Sequence, residues 1–145
     1  MPAGKRRGVM AVTYAVRNIM TEDIVSVANT VSLKEAIGVM LEKNIGSVVV
    51  RSDEEMVGIL TERDVLKKFC FDAECENLKV EEVMSSPLIT IEGTAAIGEA
   101  ADLMAEKKIR RLLVTDEETI KGIVTERDVM KATLDVFKKL SDALV

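Results

Sequence analysis

The length, composition and charge of this 145-residue chain already exclude several functions. Apolar residues make up 48% of the sequence, which is typical of a globular protein rather than a disordered one. The formal net charge of −5 argues against binding to a nucleic-acid backbone, which requires clustered lysine and arginine. Histidine, the commonest general base and metal ligand, does not occur in the sequence.

The amino-terminal segment carries the basic residues Lys5-Arg6-Arg7, followed by an uncharged stretch from residue 8 to residue 16. This order resembles the start of a signal peptide, but the stretch is short and runs directly into the first repeat described below. We therefore interpret residues 1–15 as a basic tail and a lead-in segment. No stretch is long and apolar enough to span a membrane.

The next elements predict a β-α-β-β-α unit. Apolar residues recur at helical spacing after a short β-rich run, and Ser32 and Glu35 are placed as a capping box at the start of that helix. Two apolar runs separated by a polar turn then indicate a pair of strands. The predicted elements are a strand at 24–27, a helix from 33, strands at 47–50 and 56–60, and a helix from Thr61.

The same pattern recurs 64 positions later without an insertion, so that residues 16–68 align on residues 80–132. An ungapped repeat indicates two copies of one structural unit. We predict an α/β (α+β) fold in which the two copies pack about a pseudo-two-fold axis. The predicted boundaries are a tail at 1–15, repeats at 16–71 and 80–136, a linker at 72–79, and the end of the last helix at 137–145.

Two cysteines, Cys70 and Cys75, follow the first repeat. Two thiols without histidine do not form a zinc site, and their small number favours a reducing cytoplasm. They are interpreted as incidental thiols, with a regulatory disulfide as the open alternative.

The best-preserved block reads Gly-Ile-Leu-Thr-Glu-Arg-Asp at 58–64 and Gly-Ile-Val-Thr-Glu-Arg-Asp at 122–128. A threonine three residues before an aspartate is a helix capping box, and capping alone would explain either copy. Capping does not require the glutamate and the arginine, yet both copies keep them. A carboxylate at a helix start can also accept hydrogen bonds from ribose hydroxyls, while free amides there bind phosphate. We favour this ligand-binding interpretation, with Ile59 and Ile123 enclosing a planar base.

These paired Gly-(apolar)₂-Thr-x-x-Asp blocks resemble the ribose-binding signature of the cystathionine-β-synthase (CBS) domain family, in its tandem arrangement, the Bateman module. The resemblance covers residues 16 to about 136. It implies intramolecular pairing of the two copies, with clefts at their seam that bind AMP, ADP, ATP, S-adenosylmethionine or related nucleosides. Most members are regulatory sensors, so the resemblance implies a regulatory adenosine-containing ligand, no cofactor and no enzymatic activity.

By this resemblance, the aspartates of the two blocks hold ribose hydroxyls, and the threonines bond the ribose or the phosphate. Each cleft also draws on the first strand of the other repeat and on the residues before it. The resulting candidates are Thr125, Asp128, Met20, Asp23 and Val25 for one cleft, and Thr61, Asp64, Met84, Pro87 and Ile89 for the other. For the two methionines, a role as core filler is an equal alternative.

Four arginines are candidates for contact with phosphate. Arg110 and Arg111 replace Gly46-Ser47 of the first copy, on a stretch that commonly carries the family's phosphate-binding residue. Since successive strand residues face opposite sides, we assign Arg111 to the Asp128 cleft and Arg110 to the Asp64 cleft. Solvated strand-end charges are the alternative. Arg63 and Arg127 either reach phosphate or form surface ion pairs.

The rival hypothesis is a ligand-free, dimerising module that binds and regulates another protein. The long final helix, with its apolar stripe, favours it and predicts a homodimer in either case. Phosphate-binding glycine loops and Ser/His or Cys/His sets do not occur in the sequence, which argues against an enzyme. The expected partners are an adenosine-containing small molecule, a second copy of this chain and a regulated protein, with no nucleic acid and no membrane.

Overall fold

The structure is a computed structural model that describes residues 14–71 and 77–144. The basic tail and the alternative disulfide to Cys75 fall outside these described residues. The chain divides into two compact units. The first unit is Ile24–Leu88, and the second unit combines Met1–Asp23 with Ile89–Val145. Residues 14–23, which include the first eight residues of the predicted first repeat, therefore belong with the second repeat.

The first unit has the predicted β-α-β-β-α order. Its sheet has the order β1-β2-β3, with β1 parallel to β2 and β2 antiparallel to β3. The first strand begins at Ser26 rather than at residue 24, since the ladder with β2 pairs residues 26–28. The elements are β1 (Ser26–Ala28), α1 (Leu33–Lys43), β2 (Ser47–Ser52), β3 (Glu55–Thr61) and α2 (Glu62–Phe71).

The second unit repeats this topology. Its sheet has the order β4-β5-β6, again with one parallel and one antiparallel pair. The mixed α/β fold class predicted from the sequence is thus confirmed. The elements are β4 (Thr90–Glu92), α3 (Ile97–Lys107), β5 (Arg111–Asp116), β6 (Thr119–Thr125) and α4 (Glu126–Leu144).

Local features explain the start of α1 and the ends of both α1 and α3. The Ser32 hydroxyl accepts a hydrogen bond from the Glu35 amide at 3.0 Å, which confirms the predicted cap of α1. The corresponding residue before α3 is Ala96, which provides no side-chain cap. Both helices end at a residue in the left-handed conformation, Asn44 with φ 54° and Lys108 with φ 56°.

Each unit has its own apolar core, centred on the middle strand of its sheet. In the first unit, Val48, Val49 and Val50 are all buried, so both faces of β2 are covered. In the second unit, both faces of β5 are also covered, since Leu112, Leu113 and Val114 are buried. The helices contribute further buried residues to these cores, including Leu33, Ala36 and Met40 of α1 and Ala100 and Met104 of α3.

The final helix, α4, leaves an apolar stripe uncovered. None of its 19 residues is fully buried. The exposed stripe consists of Met130, Leu134, Phe137, Leu140 and Leu144.

On the same helix, the Lys139 Nζ atom lies 3.1 Å from Asp135 Oδ2, and this hydrogen bond raises the pKa of Lys139 above its usual value. No helix in the described part of the chain is long and apolar enough to cross a membrane.

A close backbone approach in the second unit yields a stability prediction. A Cβ atom added at Gly122 would lie 2.6 Å from Met20 Sδ and 2.8 Å from the Thr21 carbonyl oxygen. That carbonyl cannot easily move, since it accepts a hydrogen bond from the Ile123 amide at 2.9 Å. We expect Gly122→Ala to lower the free energy of unfolding by about 1–3 kcal/mol, measured by urea denaturation.

The matched control is Gly38→Ala. Gly38 lies within α1, and an added Cβ there would meet no atom within 4 Å. Since glycine in a helix interior costs roughly 0.5–1 kcal/mol relative to alanine, this variant should be more stable than the parent. A Gly122→Ala variant as stable as the parent would contradict the close packing of Met20.

Candidate functional site

The threonine and aspartate of each repeated block cap one another. In the first unit, the amide and the hydroxyl of Thr61 both donate to Asp64 Oδ2, each at 3.0 Å. The Asp64 amide donates in return to the Thr61 hydroxyl at 3.2 Å. In the second unit, the same three bonds join Thr125 and Asp128 at 2.9, 3.0 and 3.2 Å. The predicted capping boxes are therefore confirmed at the starts of α2 and α4.

This arrangement leaves one carboxylate oxygen of each aspartate for other contacts. An ionised carboxylate has about four acceptor sites on its two oxygens, and the threonine fills both sites on Oδ2. Oδ1 of Asp64 and of Asp128 is thus the atom that can accept a hydrogen bond from a ligand. Both side chains are half-buried, so each carboxylate is held in place and still reaches the surface.

The helix amides are less available than the sequence suggested. The Glu62 amide donates to the Gly46 carbonyl at 3.0 Å, and the Glu126 amide donates to the Arg110 carbonyl at 2.9 Å. Together with the amides of Asp64 and Asp128, two of the first three amides of each helix are bonded within the chain. Fewer helix amides are therefore free to bind phosphate than the sequence predicted. Side chains are the better candidates for contacts with phosphate.

In the first unit, the segment before β4 is tied to β3 beside Asp64. Ser85 and Ile59 exchange two backbone hydrogen bonds, of 2.8 and 3.0 Å. Met84 packs against Gly58, which has no side chain to obstruct it. The Ser85 hydroxyl donates to Asp64 Oδ1 at 2.9 Å. The structure thus brings the candidates Ile59, Met84 and Asp64 together and adds Ser85.

Sequence reasoning missed Ser85 because nothing local marks it. Its counterpart in the repeat is Thr21, a residue of similar polarity, so the comparison of the two copies gave no signal. Its contact with Asp64 spans 21 residues and depends on the backbone bridge to Ile59.

The second unit has the equivalent bridge between Thr21 and Ile123. Their two backbone hydrogen bonds are both 2.9 Å long. Met20 packs against Gly122 in the same way as its counterpart in the first unit. The candidates Met20, Ile123 and Asp128 therefore belong to one compact unit, in which the bridge joins Thr21 to β6.

Four further candidates lie near the ends of the two units. The Val25 carbonyl accepts from the Val49 amide at 3.0 Å in the first unit, while the Ile89 carbonyl accepts from the Leu113 amide at 3.1 Å in the second. Asp23 and Pro87 are exposed. The assignment of Asp23 and Val25 to the Asp128 cleft, and of Pro87 and Ile89 to the Asp64 cleft, stays a prediction.

The arginines occupy different positions. Arg111 begins β5 and pairs with Thr125 across the antiparallel ladder, so the two side chains leave the same face of the sheet. Arg110 Nε lies 3.8 Å from Glu126 Oε2, and both side chains are largely exposed, so this ion pair is weak. Arg63 and Arg127 are exposed, and the described residues offer neither of them an ion pair. The phosphate role of all four stays a prediction.

A depression of about 360 Å³ lies in the second unit, where α3 meets the start of α4. Two alanines in its lining, Ala101 and Ala105, replace the larger Ile37 and Leu41 of the first repeat. We assign it no ligand, since no polar groups other than the weakly paired Arg110 and Glu126 and the exposed Lys108 line it. Within residues 14–71 and 77–144, no cluster of three or more metal-ligating side chains occurs.

Solved structures share this fold. A CBS-domain containing protein of Agrobacterium tumefaciens superposes with a TM-score of 0.79 at 27% identity, covering 83% of this chain and 94% of that one. An uncharacterized conserved protein of Pyrococcus horikoshii gives a TM-score of 0.77 at 30% identity, covering 83% and 92%.

Sequence relatives extend the likeness. An uncharacterized protein of Methanopyrus kandleri is 35% identical over 82% of this chain, which spans 62% of that protein. A Methanocaldococcus jannaschii protein is 34% identical over 85% of this chain, which spans only 32% of its length. A CBS domain-containing protein of Bacillus subtilis is 30% identical, and the match covers 79% of this chain and 82% of that protein.

The family model described as CBS domain matches twice, at residues 16–70 and 80–135. These matches include both Thr-x-x-Asp capping boxes and both β-α-β-β-α repeats, and they account for more than half of the sequence. The chain belongs to the CBS domain family and carries two CBS domains in tandem.

Proposed function

We propose that this chain is a regulatory module that binds an adenosine-bearing nucleotide or nucleoside without catalysis. The observation that carries the proposal is the capped aspartate, which occurs in both units with nearly the same hydrogen bonds. Because its threonine immobilises the carboxylate, Oδ1 can accept a ribose hydroxyl with little loss of side-chain entropy. The half-buried Ile59 and Ile123, each two residues before the capping threonine, offer apolar surface to a base.

The non-catalytic role is supported by the way in which named enzymes match this chain. An inosine-5′-monophosphate dehydrogenase of Methanocaldococcus jannaschii is 33% identical, but this chain spans only 22% of its length. A homoserine O-acetyltransferase of Methanohalobium evestigatum is 34% identical, and the chain spans 24% of it. Most of each enzyme therefore lies outside the match, which suits a module appended for regulation.

The adenosine class of ligand has support from one solved relative in fold. A CBS domain pair crystallised with 5′-methylthioadenosine and S-adenosyl-L-methionine has a TM-score of 0.72 at 24% identity, covering 81% of this chain and 93% of that one. At that identity the likeness concerns the fold alone. It supports the proposal only in that a chain of this fold can hold such ligands.

We further propose that the chain forms a homodimer through α4 and acts on another protein in the cytoplasm. Five large apolar side chains along one helix would cost solvation free energy if they stayed in water. Their spacing of three and four residues gives the continuous stripe that helix pairs bury. The alternative is a ligand-free, dimerising module that regulates a partner protein, and failure of every ligand in the binding experiments below would favour it.

The first prediction is that AMP, ADP, ATP or S-adenosylmethionine raises the melting temperature. A ligand that binds only the folded state at one hundred times its Kd adds roughly 2.7 kcal/mol, or about 5–10 °C for a chain of this size.

Asp128→Ala should weaken binding about ten- to a hundredfold, because a charge-assisted hydrogen bond is lost. It should destabilise the apo fold by only about 0.5–2 kcal/mol, the usual cost of a lost cap.

Asp102→Ala is the control, since it removes an exposed carboxylate of α3 and should change neither binding nor stability appreciably. Differential scanning fluorimetry with each ligand at millimolar concentration gives the shifts, and titration calorimetry gives the affinities. If none of the four ligands moves the melting temperature, the ligand-free interaction module replaces this proposal.

The second prediction concerns phosphate recognition by Arg111. Two of the first three amides of α4 are bonded within the chain, and the planar guanidinium of Arg111, which shares a sheet face with Thr125, has a geometry suited to phosphate. We expect Arg111→Ser to weaken AMP binding at the Asp128 site at least about tenfold while sparing adenosine. The Asp64→Ala background isolates this site for titration calorimetry.

Ser47→Arg supplies the matched gain of function. Ser47 pairs with Thr61 just as Arg111 pairs with Thr125, so an arginine there should improve AMP binding at the Asp64 site and leave adenosine unchanged. If Arg111→Ser weakens AMP and adenosine equally, the residue shapes the pocket and does not contact phosphate.

The third prediction is that sedimentation equilibrium shows a dimer at micromolar concentration. Phe137→Glu should shift the chain to monomer, since it places a charge within the apolar stripe. Asp142→Ala is the control, because that residue lies about 140° around the helix from Phe137. A parent chain that remains monomeric well above micromolar concentration would exclude the proposed interface.

A further inference from the structure

The two capped aspartates differ in one contact. Ser85 and Thr21 occupy equivalent positions, and each exchanges two backbone hydrogen bonds with the isoleucine of its own β3 or β6 strand. The Ser85 hydroxyl donates to Asp64 Oδ1 at 2.9 Å. In the described part of the second unit, no hydrogen bond joins Thr21 to Asp128. The backbones therefore agree, and the difference lies in the side chains.

The contact matters because Oδ1 is the oxygen that capping leaves for a ligand. With both acceptor sites of Oδ2 filled by threonine, Asp128 keeps two sites on Oδ1. Asp64 keeps one, since Ser85 fills the other. A ribose offers two neighbouring hydroxyl donors. Asp128 can accept both, whereas Asp64 can accept the second only in exchange for the Ser85 hydroxyl.

Ser85 is also held where it makes this contact. Its amide and its carbonyl both bond Ile59, and Met84 anchors the same segment against Gly58. The serine hydroxyl can therefore compete with a ligand hydroxyl without any backbone movement. Because the second ligand bond replaces an existing bond, most of its contribution to binding is cancelled.

We propose that Ser85 determines sugar specificity, so that the Asp64 site discriminates poorly between ribose and deoxyribose ligands while the Asp128 site discriminates strongly. This inference rests on the proposed function and deepens it. The module would then have two sites of unequal specificity. The Asp128 site would require both neighbouring hydroxyls of the ribose, and the Asp64 site would bind a ligand that lacks one of them.

The test compares AMP with its 2′-deoxy and 3′-deoxy analogues by titration calorimetry on the full chain. Asp64→Ala reports the Asp128 site, where at least one of the deoxy analogues should bind about tenfold or more weaker than AMP. Asp128→Ala reports the Asp64 site, where the loss should stay below about threefold. Adding Ser85→Ala to Asp128→Ala should raise that loss to about tenfold, because a second acceptor site becomes free.

Thr21→Ala in the Asp64→Ala background is the matched control and should change the AMP-to-deoxyAMP ratio by less than about twofold. Melting curves establish that each variant is folded. Equal discrimination at the two parental sites, or a Ser85→Ala variant with an unchanged ratio, overturns this inference and leaves the proposed function intact. If Ser85→Ala weakens all three ligands alike, Ser85 is a ligand contact and the inference is also wrong. Failure of AMP to bind either site overturns the proposed function and this inference together.

Discussion

The mutual capping of a threonine and an aspartate at the end of each sheet is the constraint on which both candidate sites depend. The threonine closes the last strand, and the aspartate lies in the first turn of the following helix. Because the threonine amide and hydroxyl converge on one carboxylate oxygen, the aspartate side chain cannot rotate freely. The capping therefore positions the helix start and leaves the other oxygen as a defined acceptor. Capping does not conflict with the proposed ligand binding, because it occupies only Oδ2 of each carboxylate.

The glycine of each repeated block has a packing reason. Met84 packs onto the strand at Gly58 and Met20 does so at Gly122, and a side chain at either glycine would displace the methionine. The residue after each methionine then forms a two-bond bridge to the neighbouring isoleucine. A single motif thus combines close backbone approach, strand pairing and helix capping within seven residues. These roles explain why both copies keep the glycine, the threonine and the aspartate of the block.

The two copies have the same backbone pairing but differ in many side chains, and two of these differences lie close to the capping box. Ser47 corresponds to Arg111, and Ser85 corresponds to Thr21. The first difference changes charge, and the second changes how many acceptor sites remain on the aspartate. Neither alters the sheets, whose pairing is the same in both units. The two units therefore share one backbone arrangement and differ in the side chains that surround the capping box.

The sequence by itself determined the repeat, the β-α-β-β-α order and the capping boxes, because these depend on apolar periodicity and on hydrogen bonds that span three residues. Only the tertiary structure decided that residues 14–23 join the second repeat, that the Gly46 and Arg110 carbonyls accept hydrogen bonds from helix amides, and that Ser85 contacts Asp64. These features depend on contacts between segments distant in sequence and on individual side-chain torsions. Local patterns carry no information about either, since many distant partners would satisfy the same local spacing.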